Sequence, residues 1–398
     1  MEDFSILKLK KNEQRRLQSG HCWIYANEID SKATPVSSFK PGEQVLVEGS
    51  DGKKIGYALM SPTHLICARL VSRDLKRHLD KSLLVHRLKV ALSLRESIFD
   101  QPCYRLVYGD SDGLPGLVID RYFDHYVVQI NHPGMEIRLE ELKQAMEKVL
   151  KPESVLLRND GKSRKAEGME SYIKPLIGEP PELVDLVENG VKFQAPISTG
   201  QKTGWFYDHR INRAAVMQHA KGKRVLDVFS YIGGWAVQAA VGGASEVWAI
   251  DSSEKALDQL LANGELNGVG DKLTALQGDA FEALKELKNQ NERFDLIVLD
   301  PPALIPRRRD FKAGLSAYRR LNELAIRLLS KDGMLVSCSC SMHLPKDQLT
   351  DQLRGAAVHL DRNLQIIGFG GQGPDHPILP AVPETDYLKA TFCRVTQR

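Results

Sequence analysis

Short alternating runs of apolar and polar residues dominate the first 73 positions. In EQVLVEGSDGKKIGYALMSP, beginning at Glu43, two strand-like segments flank the turn residues Ser50, Asp51 and Gly52, the pattern of a β-hairpin. Residues 1–73 therefore read as a small, mostly β module. From about Asp74 the spacing becomes helical over 79–99, in a stretch rich in Leu, Lys and Arg. Strands are then expected at 104–108, 117–119 and 126–130, a helix at 136–150 and a strand at 154–158. The segment IKPLIGEPPEL from Ile173 carries Pro and Gly at close intervals and reads as a linker with a boundary inside it. A middle α/β domain is thus placed at 74–180.

The last part, 181–398, has a different rhythm. Apolar runs at 225–229, 247–250, 273–276, 296–299 and 334–336 alternate with helical segments, which predicts a parallel sheet covered on both faces. A chain of 398 residues is too long for one ordinary core, in keeping with several domains. No run reaches the ~18 apolar residues of a membrane span, and the basic N-terminus is followed by no apolar stretch, so no membrane partner and a cytoplasmic location are expected. The six cysteines are scattered without a CxxC pair, which predicts free thiols and no metal site. Net charge is only +3, so any contact with nucleic acid must rest on local clusters. Lys8, Lys10, Lys11, Arg15 and Arg16 form one, and Arg307, Arg308 and Arg309 another; a solvated face is the plain alternative for either.

The first strand of the last domain runs into VLDVFSYIGGWAVQAA from Val225 and then a helix. Gly233 and Gly234 allow close backbone approach to a ligand at that turn. The pattern is not GxGxxG, which argues against a dinucleotide. Asp227 lies in the first strand end, Asp251 ends the second in EVWAID, where a carboxylate can accept from ribose hydroxyls, and Asp279 follows the third in QGDAF. Acids at three successive strand ends suit a cationic cofactor carrying adenosine, as S-adenosylmethionine is. Asp251 or Asp279 alone would equally serve as a helix cap.

The order of these elements resembles a class I Rossmann-like methyltransferase. Its fourth strand, FDLIVLDPPALIP from Phe294, carries the Asp-Pro-Pro signature that nucleic-acid base methyltransferases place beside the target base, although a proline pair also stops a strand. Upstream, QKTGWFYDHRINR from Gln201 resembles a segment of the bacterial 23S ribosomal RNA methyltransferase I family, whose members make 5-methylcytosine. The likeness continues through SYIGGWAV, DPPALIP, SCSCS from Ser337, DHPILP from Asp375 and YLKATFCRV from Tyr387. It also takes in YGDSDGLPGLVIDRY from Tyr108 and RKAEGME from Arg164, and LQSGHCWIYANEI from Leu17 fits the opening of that family's PUA-type RNA-binding barrel. It spans nearly the whole chain.

The resemblance implies S-adenosylmethionine as cofactor, large-subunit ribosomal RNA as partner and a PUA-type barrel at 1–73, and leaves a homodimer open. It places Lys202, Thr203, Gly204, Phe206, Asp208 and Arg210 in the cofactor or base pocket. Asp227, Phe229, Ser230, Tyr231, Gly233, Gly234, Asp251, Ser252, Asp279, Ala280, Asp300 and Pro301 complete the cofactor site. In physical terms Lys202 and Arg210 suit a carboxylate or phosphate, with Asp208 orienting Arg210 through a charge-assisted pair. The alternative is an exposed loop stabilised by that pair.

Cytosine C5 is too weak a nucleophile to attack a methyl sulfonium unaided, so a thiolate must first add to C6. An acid near N3 favours the addition, and Asp300 is the candidate. Cys338 and Cys340 share a face at the end of the fifth strand, since residues two apart on a strand point the same way. Cys340 stands nearer the carboxyl end, where open parallel sheets bind their ligands, and becomes the expected nucleophile. The family's Ser-Cys-Ser motif aligns with Ser339, Cys340 and Ser341, and the segment Pro301-Pro302-Ala303 lacks the cysteine of a two-cysteine mechanism. Three functions remain open: 5-methylcytosine formation, methylation of a guanine or another RNA base without a cysteine nucleophile, and a non-catalytic RNA-binding or ribosome-assembly protein.

Overall fold

The computed structural model describes residues 3–398 and groups the chain into two compact units. The first comprises 1–184, 196–205 and 374–385; the second comprises 185–195, 206–373 and 386–398.

In the first unit, β1 (Ile6–Lys8), α1 (Gln14–Gln18), β2 (Trp23–Tyr25), β3 (Gln44–Glu48), β4 (Lys54–Met60) and β5 (Ile66–Ser72) follow one another. Its first sheet has the order β1-β3-β4-β5-β2, and β3 and β4 flank the expected turn at Ser50 to Gly52. Past the ends of the two edge strands, Leu9 bridges Ile29, Lys10 N donates to Glu28 O at 2.8 Å and Asp30 N to Lys8 O at 2.9 Å. These bonds bring the edges together and close the sheet into a barrel, which removes the open edges that invite aggregation. Leu7, Leu9, Ile24, Val45, Val47, Ala58, Met60 and Ala68 fill it.

The unit continues with α2 (Lys81–Glu96), β6 (Cys103–Tyr108), β7 (Leu117–Tyr122), β8 (His125–Ile130), α3 (Pro133–Glu136), α4 (Leu139–Leu150), β9 (Ser154–Asn159), α5 (Lys162–Ala166) and β10 (Tyr172–Ile177). These five strands form a second sheet in the order β10-β9-β8-β7-β6. The expected linker from Ile173 is therefore strand at its start. Pro175 is tolerated because β10 is an edge strand, and the register slips between Pro175 and Ile177. Several of the motifs singled out by sequence prove to be buried ion pairs of this unit. Arg95 is bidentate to Asp112 at 2.6 and 2.8 Å, Arg105 to Asp120 at 2.8 and 2.8 Å, and Arg164 to Glu136 at 2.9 and 2.9 Å. Breaking any one by removing a single partner leaves an uncompensated buried charge, a loss of about 3–5 kcal/mol.

The second unit opens with the hairpin β11 (Leu183–Glu188) and β12 (Val191–Pro196). After it come α6 (Arg210–His219), β13 (Arg224–Val228), α7 (Gly234–Val241), β14 (Glu246–Asp251), α8 (Glu254–Leu266), β15 (Leu273–Gln277), α9 (Ala280–Asn289), β16 (Phe294–Leu299), α10 (Phe311–Leu328), β17 (Leu329–Ser339), α11 (Lys346–His359), β18 (Arg362–Gly370) and β19 (Lys389–Gln397). The sheet order is β15-β14-β13-β16-β17-β19-β18. Its five predicted strands are parallel, but β19 runs antiparallel to β17 and β18 antiparallel to β19, so the sheet is mixed. The sequence reading missed those two: β18 alternates half-buried and exposed residues at the sheet edge instead of forming an apolar run. The core over β13, β16 and β17 includes Leu226, Val228, Ile297, Leu299, Leu335, Leu321 and Leu353. Among the described residues no helix is long and apolar enough to cross a membrane.

Candidate active site

The strand order reverses direction at β13, which has β14 on one side and β16 on the other. A crevice outside the carboxyl ends of such strands is where open α/β sheets bind ligands. Asp227, Asp251, Asp279, Asp300 and Cys340 stand at or just past the carboxyl ends of β13, β14, β15, β16 and β17.

The turn after β13 is built tightly. Phe229 and Tyr231 adopt φ of 69° and 49°, unusual for bulky residues, and Gly233 has φ 88°. A Cβ at Gly233 would come within 2.7 Å of Leu260 Cγ, so only glycine fits. The turn is pinned to the next strand: the amides of Phe229 and Ser230 donate to Ile250 O at 2.9 and 3.0 Å, and Tyr231 N to Asp251 Oδ2 at 2.9 Å. Asp251 Oδ1 accepts from Ser253 N at 2.9 Å. Asp251 is half-buried and Ser252 exposed, so the carboxylate keeps lone pairs for a ligand. Asp279 is an exposed cap of α9, accepting from Phe281 N and Glu282 N at 2.9 and 3.2 Å, with Ala280 buried behind it. The capping role weighed for Asp279 is thus present.

Asp227 is fully buried. Its Oδ2 accepts from Ala236 N in the first turn of α7 at 3.1 Å, while Oδ1 has no partner. Burial, aided by the nearby charge of Asp300, pushes its carboxyl well above the usual range. A strained, glycine-dependent turn, an orphaned buried acceptor and the carboxylate of Asp251 fit a nucleoside cofactor with a charged amino-acid tail.

Asp300 follows β16. Its carboxylate, 21 % exposed, meets His209 Nε2 at 3.1 Å and accepts from Trp235 Nε1 at 3.0 Å. Burial pushes the carboxyl up, but the electrostatic pull and hydrogen bond of the His209 Nε2–H group and the bond from Trp235 outweigh it, so Asp300 sits below the ordinary carboxylate range. Asn212 Nδ2 donates to His209 Nδ1 at 3.1 Å, and the ring packs on Trp235 at 5.0 Å between centroids. Sequence reasoning missed His209, Asn212 and Trp235, although the first two lie inside the quoted DHRINR and the third directly follows the glycine pair.

The segment before α6 divides. Thr203 is buried in the first unit, where its hydroxyl donates to Asp120 at 2.6 Å and its carbonyl accepts from Tyr122 at 3.0 Å; both polar groups anchor the backbone there. Lys202 is exposed with φ 49°, and Gly204 has φ 107°. In the second unit Phe206 meets Tyr231 edge-on at 5.6 Å. Asp208 accepts from Tyr387 Oη at 2.5 Å, and the carboxylate beside Arg210 is Glu188, at 3.8 Å. Glu188, fully buried, also binds Arg213 at 2.6 Å and Gln238 at 2.9 Å.

At the end of β17 the two cysteines differ. Cys338 is fully buried; its Sγ, an Asp300 oxygen and a His209 nitrogen lie within 4.8 Å of one another. Burial, and then the charge of Asp300, push its thiol well up. Cys340 is half-buried, with Sγ 3.9 Å from the carbonyl of Pro301. The serines on either side explain its aim. Tyr318 Oη, from α10, bonds Ser339 Oγ at 2.8 Å and Ser341 Oγ at 2.9 Å, and Ile305 N donates to Ser341 Oγ at 3.1 Å. Both hydroxyls are held in the buried layer, and the cysteine between them is left at the rim beside the Asp-Pro-Pro turn.

The basic clusters are unequal. Arg16 pairs with Glu28 at 2.6 Å and Lys8 with Glu48 at 3.7 Å, so part of the N-terminal cluster serves the barrel. Arg307, Arg308 and Arg309 are exposed, with Asp310 beside two of them.

Residues 161–378 match the family described as S-adenosylmethionine-dependent methyltransferase, and residues 7–73 match a PUA-like domain. Over 394 residues the chain is 36% identical to a protein of Erwinia tasmaniensis named ribosomal RNA large subunit methyltransferase I, covering 98% of this chain and 99% of that one. Among solved structures, a SAM-dependent methyltransferase from Streptococcus mutans shares the fold with TM-score 0.83 at 20% identity, covering 98% and 100% of the two chains. A methyltransferase complexed with SAH does so with TM-score 0.85, also at 20% identity and with coverage of 98% and 100%.

Proposed function

Because this chain belongs to the S-adenosylmethionine-dependent methyltransferase family, and within it to the family of ribosomal RNA large subunit methyltransferase I, we propose that it forms 5-methylcytosine in large-subunit ribosomal RNA. The observation that carries this reading is the placement of Cys340. It is a half-buried thiol beside the Asp-Pro-Pro turn, flanked by two serines whose hydroxyls are tied to Tyr318. Neither methylation of a guanine nitrogen nor a non-catalytic role needs that arrangement.

Asp251, Asp227 and the turn from Phe229 to Gly234 hold S-adenosylmethionine, with Ser252, Asp279, Ala280 and Pro301 around them; the cofactor supplies an electrophilic methyl group. Phe206, Asp208 and Arg210 complete the cofactor and base pocket. The thiolate of Cys340 adds to C6 of the cytosine and makes C5 nucleophilic. Asp300, kept ionised by His209 and Trp235, accepts from the exocyclic amino group of the base and fixes its orientation, in place of the proton donor expected from sequence. Cys338, with no exposed surface and its thiol pushed up, packs behind the site. Residues 1–73 serve as the RNA-binding barrel, 74–180 as the middle domain and 181–398 as the catalytic domain of a cytoplasmic enzyme.

The direct test is mass-spectrometric nucleoside analysis of ribosomal RNA from cells with and without the gene. Loss of one 5-methylcytosine in the large-subunit RNA supports the reading. Loss of a methylated guanine instead, or no change, contradicts it.

A further inference from the structure

Lys389 is the first residue of β19, and its backbone faces Ser339 of β17 in antiparallel register. The side chain is half-buried at the rim where Cys340 lies, and Nζ donates to the carbonyl of Ser341, the residue after Cys340, at 2.7 Å. A surface lysine with no task does not spend its charge in such a place, since burying an ammonium is costly. Burial lowers its pKa to about 8, against the opposing pull of Cys340 and Asp386. Roughly a tenth of the amine is then neutral at pH 7 and half at pH 8.

Resting on the 5-methylcytosine reading, we propose that Lys389 is the base that takes the proton from C5 of the cytosine held on Cys340. Once C5 carries its methyl group, the C5–H bond breaks toward the Lys389 nitrogen and its electron pair forms the C5–C6 double bond. In the same step the C6–S bond breaks, its pair leaving on sulfur as the Cys340 thiolate. The ammonium passes its proton to solvent, which accounts for the one proton that methylation of a C–H bond by a sulfonium must release. The other groups of the rim suit this step less well: Asp300 is a weak base held ionised by His209, and Cys338 is enclosed.

The test uses the full chain with large-subunit RNA and S-adenosylmethionine labelled on the methyl group. Lys389→Met removes the amine, and Lys389→Arg keeps a donor for the Ser341 carbonyl but not a base. In both variants release of 5-methylcytosine should fall by at least about 100-fold, the usual share of a general base, while a labelled protein–RNA adduct accumulates on denaturing gels with unmodified cytosine. The proposal is overturned if Lys389→Met turns over at the wild-type rate, if Lys389→Arg restores turnover, or if neither variant accumulates the adduct. A wild-type protein that makes no 5-methylcytosine would instead defeat the underlying reading.

Discussion

His209 Nε2 meets the Asp300 carboxylate at 3.1 Å while the opposite nitrogen of the same ring accepts from Asn212. An asparagine amide nitrogen can only donate, so Nδ1 must be the accepting nitrogen and the ring's proton stands on Nε2, facing Asp300. The pair keeps the carboxylate ionised despite its burial.

This fixes the sign of a pH effect. A carboxyl with a depressed pKa keeps its ionised form, and the function that depends on it, until pH falls through the folded-state value. Replacing His209 by Gln removes the main opposing influence on burial, so Asp300 should titrate higher. The Asp300 carboxyl, followed by NMR titration, should ionise at higher pH in His209→Gln than in wild type; an unmoved titration would mean that His209 does not hold it ionised.

Asp251 ties the glycine turn to the start of α8 and leaves lone pairs toward the crevice. Asp251→Ala should weaken S-adenosylmethionine binding by roughly 1–3 kcal/mol, the range for a hydrogen bond to a charged group. Titration calorimetry reads this directly, and unchanged affinity would remove Asp251 from the site.

Tyr318 tests the clamp on the cysteine turn. Tyr318→Phe takes one partner from each of two buried serine hydroxyls, Ser339 and Ser341, which keep their bonds from Ser341 N and Ile305 N; it should cost about 0.5–1.5 kcal/mol per lost bond in denaturant unfolding and slow turnover at saturating RNA. Wild-type turnover with lowered stability would reduce Tyr318 to a packing residue.

Sheet architecture and strand ends were legible because parallel strands buried on both faces are continuous apolar runs, and each of the five appeared where an apolar run was read. The acids and glycines at their ends stood out for the same reason: they interrupt those runs. β18 and the strand around Pro175 were illegible because edge strands lack that signal, and β19, although mostly buried, has its apolar run broken by Thr391 and Arg394. Partners were harder still. Nothing in the spacing of Asp208, Arg210 and Glu188 shows that Glu188 reaches Arg210, or that Tyr318, on a helix, reaches serines on either side of Cys340. Such pairings are set by tertiary packing, which one-dimensional periodicity does not encode.

If the exposed Arg307, Arg308 and Arg309 contact RNA phosphates, RNA affinity should fall steeply with salt, and each lost contact should reduce the log–log slope by about 0.7–0.9. A triple Arg→Ala variant with the wild-type slope would show that the cluster only faces solvent.

The proposed nucleophile toward cytosine is Cys340 and not Cys338. RNA carrying 5-fluorocytosine reads it most directly, because fluorine cannot leave as a proton does and the C6 thioether is trapped. Wild type and Cys338→Ala should yield a gel-shifted covalent adduct that Cys340→Ala fails to form. An adduct that survives in Cys340→Ala, or its absence from wild type, would rule Cys340 out as the nucleophile.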